Sequence, residues 1–313
     1  MSPLCGLEVR SKVAVMKGYG TVIPALVTPF DQRGRVDEEL AASLAEHLVE
    51  LGCDGVLVGG TTAESPTLSD EEKIALVRAV ARRVGDRAFV WAGTGTNDTE
   101  HTLELTQRAV AEGADGVMLV CPYYNRPPQE GLFRHFSRAA GVAGVPVMLY
   151  NIPGRTGVNL LPDTVARLAR EVENIVAIKE ASGNLDQIST LRRLAPREFV
   201  IYSGDDSLTL PILSVGGQGV VSVAAHLVAP RIRAMIEAYR EGRVEEAREL
   251  HLQMLPLFKA LFVTTNPIPV KYALRLMGFE VGDCRPPLLP PSPAEQVAVR
   301  EGLEAVGLLP VSA

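Results

Sequence analysis

The chain has 313 residues, 47% of them hydrophobic and 22% charged, with a formal net charge of −6. That length admits one large α/β barrel or two ordinary domains. The acidic balance, without any basic block, argues against nucleic acid or an anionic membrane as a partner.

Cys5, Cys53, Cys121 and Cys284 lie far apart with no C-x-x-C spacing. They form neither a zinc ribbon nor a disulfide framework, and they suit a reducing cytoplasm. Met1 to Gly18 carries Glu8, Arg10, Lys12 and Lys17 and has no apolar core of signal-peptide length. From residue 20 onward one unit recurs: a short apolar run, a Gly-rich or polar break, then an amphipathic stretch. The runs are Thr21–Val27, Gly55–Val58, Ala88–Ala92, Gly116–Val120, Val145–Tyr150, Ile175–Lys179, Phe199–Tyr202 and Gly219–Val223. Helices are predicted near Asp37–Leu51, Asp70–Val84, Asp98–Glu112, Gln129–Ala140, Pro162–Glu171, Leu185–Leu194 and Ser207–Val215. Ser69 and Glu72 have capping-box spacing.

Strands alternating with helices imply parallel pairing through right-handed crossovers. Eight such units predict a (β/α)₈ TIM barrel; a doubly wound open sheet is the alternative. Ser207–Pro230 holds no Lys, Arg, Asp or Glu and is long enough to span a bilayer. Its glycines, prolines and serines instead read as helix, turn and buried strand. After Val223 only helices are expected, near 230–241, 243–263, 267–277 and 293–306, the last with a Ser292/Glu295 capping box. Cys284–Pro293 holds five prolines and reads as an extended connector. The expected organisation is an arm over 1–17, a barrel over 18–241 and a C-terminal helical domain over 242–313.

Active sites of such barrels lie at the C-terminal ends of the strands. Reading those ends gives Gly59–Ser65, Gly93–Asn97, Pro122–Arg126, Tyr150–Gly157, Lys179 and Ser203–Asp206. A lysine where a buried strand runs out is unusual. Burial disfavours an ammonium, and a neutral amine attacks carbonyls to form Schiff bases; a structural salt bridge is the plainer reading of Lys179. Tyr150 ends the preceding strand, so the two side chains should meet inside the rim. A tyrosine hydroxyl linked to a threonine and a second tyrosine can shuttle the protons of Schiff-base formation. A nearby arginine can clamp a carboxylate. The set reads as a metal-free aldolase or lyase acting on a 2-oxo acid, without cofactor.

Plainer readings stand beside the others. Gly59, Gly60, Gly93 and Gly95 serve tight turns. Asp206 reads as a helix N-cap rather than a metal ligand. The five histidines fit no metal spacing, and His47 and His135 are expected to face solvent from their helices.

Gly60-Thr-Thr-Ala-Glu-Ser65, Pro122-Tyr-Tyr-Asn-Arg126, Tyr150-Asn-Ile-Pro-Gly-Arg-Thr156, Ile178-Lys-Glu-Ala-Ser-Gly183, Ser203-Gly-Asp-Asp206 and Asn266-Pro-Ile-Pro-Val-Lys271 together resemble the dihydrodipicolinate synthase family, from about Gly18 to Leu309. The double threonine, the paired tyrosines and Asn266-Pro-Ile-Pro favour it over the related N-acetylneuraminate lyases and sugar-acid aldolases. The resemblance implies that Lys179 forms a Schiff base with pyruvate. It implies a proton relay of Tyr150, Thr61 and Tyr124, the last reaching into a neighbour's site across a tight dimer, one half of a homotetramer. It assigns Arg155 to the carboxylate of L-aspartate 4-semialdehyde and Thr62 to that of pyruvate, with the Gly204 and Val221 backbones lining the site. The reaction implied is the first committed step of diaminopimelate and lysine synthesis. Another pyruvate-dependent aldolase and a silent 2-oxo-acid-binding barrel are the alternatives.

Two departures from the family pattern stand out. Ala63 occupies a position where the family usually has Gly, and would be strained there if φ must be positive. The pocket that binds inhibitory lysine in sensitive relatives aligns with Ser65, Pro66, Asp70, Lys73, Asn97, His101 and Tyr123. Lys73 falls where those relatives carry His or Glu, and His101 where they carry Glu, so a degenerate allosteric site is expected.

Overall fold

The apolar runs pair side by side into one parallel sheet that closes on itself. The computed structural model of the protein describes residues 18–310; the arm expected over 1–17, with Cys5, lies outside them. The strands are β1 Val22–Pro24, β2 Gly55–Val58, β3 Phe89–Gly93, β4 Gly116–Val120, β5 Val147–Asn151, β6 Ile175–Glu180, β7 Val200–Ser203 and β8 Gly219–Ser222. They neighbour one another in the order β1-β8-β7-β6-β5-β4-β3-β2. The ring closes where Ala25 bridges Leu57 and the Leu26 amide donates to the Leu57 carbonyl at 2.9 Å. This handover shortens β1: its first residues pair with β8 and the following ones with β2, so the expected Thr21–Val27 run is no single ladder.

Between the strands lie α1 Glu38–Glu50, α2 Asp70–Val84, α3 Thr99–Ala111, α4 Gln129–Ala143, the single turn α5 Pro153–Thr156, α6 Pro162–Glu171, α7 Leu185–Leu194 and α8 Thr209–Ser214. After β8 come α9 Ala225–Arg240, α10 Val244–Ala260, α11 Ile268–Leu276 and α12 Pro293–Ala305. Both capping boxes form, at Ser69 with Glu72 and at Ser292 with Glu295. α9 starts well before residue 230. Its Pro230 is accommodated because the backbone already breaks from helical geometry at Val228 (φ −133°, ψ 28°). Among the described residues no helix is long and apolar enough to cross a membrane.

Alternation along the strands sorts the side chains. Val56, Val58, Val90, Val117, Leu119, Leu149, Ile178 and Val220 pack outward against the helices, in a cluster that continues through Met254, Leu257, Val270 and Leu303 of the C-terminal helices. Ile23, Leu57, Phe89, Trp91, Met118, Met148, Tyr150, Ala177, Tyr202 and Val221 fill the barrel. The end away from the candidate site is stoppered by aromatic rings: Trp91 Nε1–H donates to the Tyr19 carbonyl (3.0 Å) and the Tyr202 hydroxyl to the Gly20 carbonyl (2.7 Å).

Two histidine expectations fail. His135 is 5% exposed, with Nδ1 2.9 Å from Thr99 Oγ1. Burial, aided by the Arg138 charge, lowers its pKa to about 4. His47 is partly buried against the Phe279 ring, 5.1 Å between centroids. His135 shares the buried face of its helix with Leu132, Phe136 and Ala139, and His47 is covered by the segment that carries Phe279.

His226 is also buried, and it links the segments that leave β1 and β8. Its Nδ1–H donates to the Val223 carbonyl (2.9 Å) and its Nε2 accepts from the Val27 amide (3.3 Å). Only the neutral ring can do both, and burial lowers its pKa from 6.5 to about 4. The unfolded chain therefore takes up this proton near pH 6.5 while the folded chain refuses it until about pH 4. Stability should fall as pH falls through that window, by up to about 3 kcal/mol from this group. Denaturation midpoints between pH 8 and pH 4 should drop more steeply for the parent than for His226→Gln; equal slopes would reject this account.

Candidate functional site

β5 and β6 are in register at Tyr150 and Lys179, the last inward-facing positions of each. Lys179 is 5% exposed, and its Nζ lies 4.3 Å from the centre of the Tyr150 ring. Among the described residues it has no carboxylate partner, so the salt-bridge reading fails. The contrast is Lys271, which is equally buried but ion-paired to Glu64 at 3.0 Å. Gly204 keeps space open beside the free lysine. A Cβ there would stand 3.2 Å from Lys179 Cε and 2.7 Å from Ala181 Cβ, closer than packing allows. Val221 pairs with Ile23 and lies in the barrel interior.

The loop after β2 carries the threonines. Thr61–Ala63 is a single 3₁₀ turn, and the residue in left-handed conformation is the next one, Glu64 (φ 58°, ψ 36°). Ala63 has no positive φ, so the strain considered for it does not arise. Thr62 is buried, and its Oγ1 accepts from Asn266 Nδ2 at 2.9 Å. The Thr62 hydroxyl proton is left to donate elsewhere, as recognition of an anionic substrate group requires. Arg155, on the α5 turn, points Nη2 at Thr265 Oγ1 (3.3 Å) and the Asn266 carbonyl (3.4 Å).

Thr61, Tyr150, Arg155 and Tyr123 line one cavity of about 520 Å³. Ser65, Pro66, Asp70, Lys73, Asn97 and His101 line the same cavity, so within one chain the expected substrate and effector regions are continuous. Asp70 is fully engaged: Oδ2 lies 2.6 Å from His101 Nε2 and Oδ1 3.4 Å from Lys73 Nζ. Partial burial opposes ionisation of Asp70, but the His101 hydrogen bond and the two neighbouring bases hold its carboxyl below the ordinary range. The second tyrosine does not join the others. Tyr124 is 90% exposed, with φ 73°, and contributes nothing to the cavity wall.

Asp206 is not the cap of the helix that follows it. Asp205 fills that place, accepting from the Ser207 amide at 2.8 Å. Asp206 is buried and reaches across to β8, accepting from the Val223 (3.0 Å) and Ala224 (2.9 Å) amides and from the Ser222 hydroxyl. It ties together the loops after β7 and β8. Among the described residues no group of three or more His, Cys, Asp or Glu could hold a metal ion.

Sequence reasoning quoted Glu64, Asn266 and Lys271 only as motif letters and assigned them nothing. A signal was present, since Lys271 stands in the apolar run Ile268-Pro-Val-Lys, the same anomaly that drew attention to Lys179. Arg285, whose guanidinium contacts Glu72 at 2.6 Å and 2.8 Å, was missed without any such signal.

Residues 19–306 match the model of the Dihydrodipicolinate synthetase family. A 4-hydroxy-tetrahydrodipicolinate synthase from a Cyanothece species is 56% identical over 295 residues, 94% of this chain and 100% of the relative. The enzyme of that name from Heliobacterium modesticaldum is 56% identical over 290 residues, covering 93% and 96%. Among solved structures, the Cyanidioschyzon merolae enzyme with lysine bound superposes with a TM-score of 0.92 at 49% identity, over 93% of this chain and 99% of that one. With the family matched along nearly the whole barrel and the C-terminal helices, the chain belongs to the dihydrodipicolinate synthetase family.

Proposed function

We propose that the protein is a 4-hydroxy-tetrahydrodipicolinate synthase that condenses pyruvate with L-aspartate 4-semialdehyde in diaminopimelate and lysine synthesis. The observation that carries the reading is the buried, carboxylate-free Lys179 facing Tyr150. A lysine kept for structure is paired, as Lys271 is; a lysine kept for chemistry needs its amine free. Lys179 attacks the pyruvate C2 carbonyl, and the carbinolamine oxygen leaves as water with protons delivered through Tyr150, Thr61 and Tyr124. Loss of a methyl proton gives an enamine, which adds to the aldehyde carbon of the second substrate. The amino group of that substrate then displaces Lys179 as the ring closes. Thr62 holds the pyruvate carboxylate, and the Gly204 and Val221 backbones line the bound pyruvate. Arg155 holds the carboxylate of the semialdehyde. Tyr124 completes the relay of the neighbouring chain in a tight dimer, two of which form a homotetramer.

The test is a comparison of second substrates. Pyruvate with L-aspartate 4-semialdehyde should turn over, and pyruvate with N-acetylmannosamine should not. The reverse pattern would move the protein to the N-acetylneuraminate lyases.

Free lysine should inhibit weakly. Asp70 is the carboxylate of the effector region, and His101 and Lys73 already occupy both of its oxygens. An incoming ammonium meets a fixed one at Lys73, whose side chain is 12% exposed. A loss of only about 1.4 kcal/mol weakens binding tenfold. Initial rates at saturating pyruvate should be unaffected by submillimolar lysine; half-inhibition in that range would show the effector site to be intact.

A further inference from the structure

The proposed chemistry leaves one buried ion pair unused. The Lys271 ammonium has three protons and three acceptors: Glu64 Oε1 (3.0 Å), the Thr28 carbonyl (3.0 Å) and the Asp283 carbonyl (2.9 Å). Nothing remains for a substrate. The other Glu64 oxygen accepts from the Arg285 amide at 2.7 Å. Both side chains of the pair are at most 2% exposed. Buried pairs of this kind are seldom more stabilising than apolar residues of the same volume, so stability is a poor account of this one.

Position in the chain gives a better account. Glu64 directly follows Thr61-Thr62-Ala63 and is the left-handed residue that links the 3₁₀ turn Thr61–Ala63 to a second one, Ser65–Thr67. A non-glycine residue keeps that conformation only where its surroundings over-determine it. Here the surroundings are Lys271 and Arg285, from the C-terminal part of the chain. The same part reaches the site at two more points, through Asn266 to Thr62 Oγ1 and through Thr265 and Asn266 to Arg155. Thr28, which supplies one Lys271 acceptor, also donates its hydroxyl to the Ala63 carbonyl at 2.7 Å. The threonine turn is therefore held from below at Ala63 and Glu64 and from the side at Thr62.

We propose that Glu64 and Lys271 are positioning residues: their ion pair locks the left-handed turn that presents Thr61 and Thr62 to pyruvate. This makes the C-terminal helices part of the active-site machinery rather than an appendage. The proposal rests on the reading of Lys179 as the Schiff-base lysine and of Thr62 as the pyruvate-carboxylate ligand.

The test uses the full chain and a variant that leaves no charge stranded, Glu64→Gln with Lys271→Met. Its fold is checked first by circular dichroism and thermal melting. A loosened turn weakens pyruvate binding more than it slows the chemistry of pyruvate already bound. The KM for pyruvate should rise about fivefold or more while kcat changes less than the KM does. In parallel, the pyruvate concentration needed to trap half of Lys179 with borohydride should rise by the same factor. A folded variant with a smaller rise in KM, whatever its melting temperature, would overturn the proposal and leave the pair purely structural. If the double variant does not fold, Glu64→Gln alone is read by the same two quantities, since glutamine keeps the shape but turns one of the two accepting oxygens, which face Lys271 and the Arg285 amide, into a donor. Failure of the parent protein to form any borohydride-trapped adduct would be a different result. It would reject the proposed reaction itself and say nothing about the turn.

Discussion

Lys179→Ala should leave a folded barrel that forms no pyruvate adduct and turns over roughly ten-thousand-fold more slowly or worse, as loss of a covalent nucleophile does in other enzymes. The fold should survive because Lys179 Nζ packs on the face of Tyr150 and, among the described residues, no carboxylate depends on it. Lys271→Ala should do the opposite. It strands the Glu64 carboxylate in a site 1% exposed, and a buried charge left unpaired typically costs about 3–5 kcal/mol. Two lysines of similar burial thus divide two tasks, the nucleophile and the support of the threonine turn. For the parent, pyruvate with borohydride should add a stable pyruvate-derived mass to the peptide that contains Lys179. A mass on the Lys271 peptide, or an unaltered yield of adduct in Lys179→Ala, would sink the assignment.

The barrel was legible in the chain because each parallel strand is covered on both faces. Its residues therefore form continuous apolar runs bounded by glycine and polar breaks, and that pattern survives without any knowledge of partners. The ends were less legible where pairing changes hands, as at Ala25, or where a helix absorbs a proline after a local break, as at Val228. Tyr150 and Lys179 could be found because adjacent strands of equal phase bring their last inward residues together, which is a property of sequence spacing alone. What lies between distant segments could not be found that way. Asp206 reaches the amides after β8, and Lys271 reaches Glu64 across 207 positions of chain. No local signal encodes such a span. His135 is a different case: it shares the buried face of its helix with Leu132, Phe136 and Ala139, a spacing the sequence already carried, and the Thr99 hydroxyl completes its surroundings.

Tyr124→Phe should lower kcat by about a hundredfold or more, the usual scale for a lost general acid–base group, and the loss should be repairable in trans. Within its own chain Tyr124 is 90% exposed and lies outside the cavity that holds Tyr150 and Thr61. Its backbone is nevertheless held at φ 73°, its amide donating to the Thr156 carbonyl at 3.2 Å, and Arg126 two residues on has φ 48°. Left-handed non-glycine residues cost roughly 1–2 kcal/mol each, and two of them in one loop aim a large aromatic side chain away from its own barrel. In the proposed two-fold dimer each chain's Tyr124 would enter its partner's cavity, making a shared site. Mixing Tyr124→Phe chains with Lys179→Ala chains tests this directly. In a mixed dimer one site pairs an intact Lys179 with an intact Tyr124, and the other site has lost both. With random exchange, half of the dimers are mixed, so about a quarter of all sites should regain full activity. Recovery near that level would place Tyr124 in the neighbour's relay. Demonstrated subunit exchange with no recovery would confine its action to its own chain, and the loop's strained backbone would then need a different explanation.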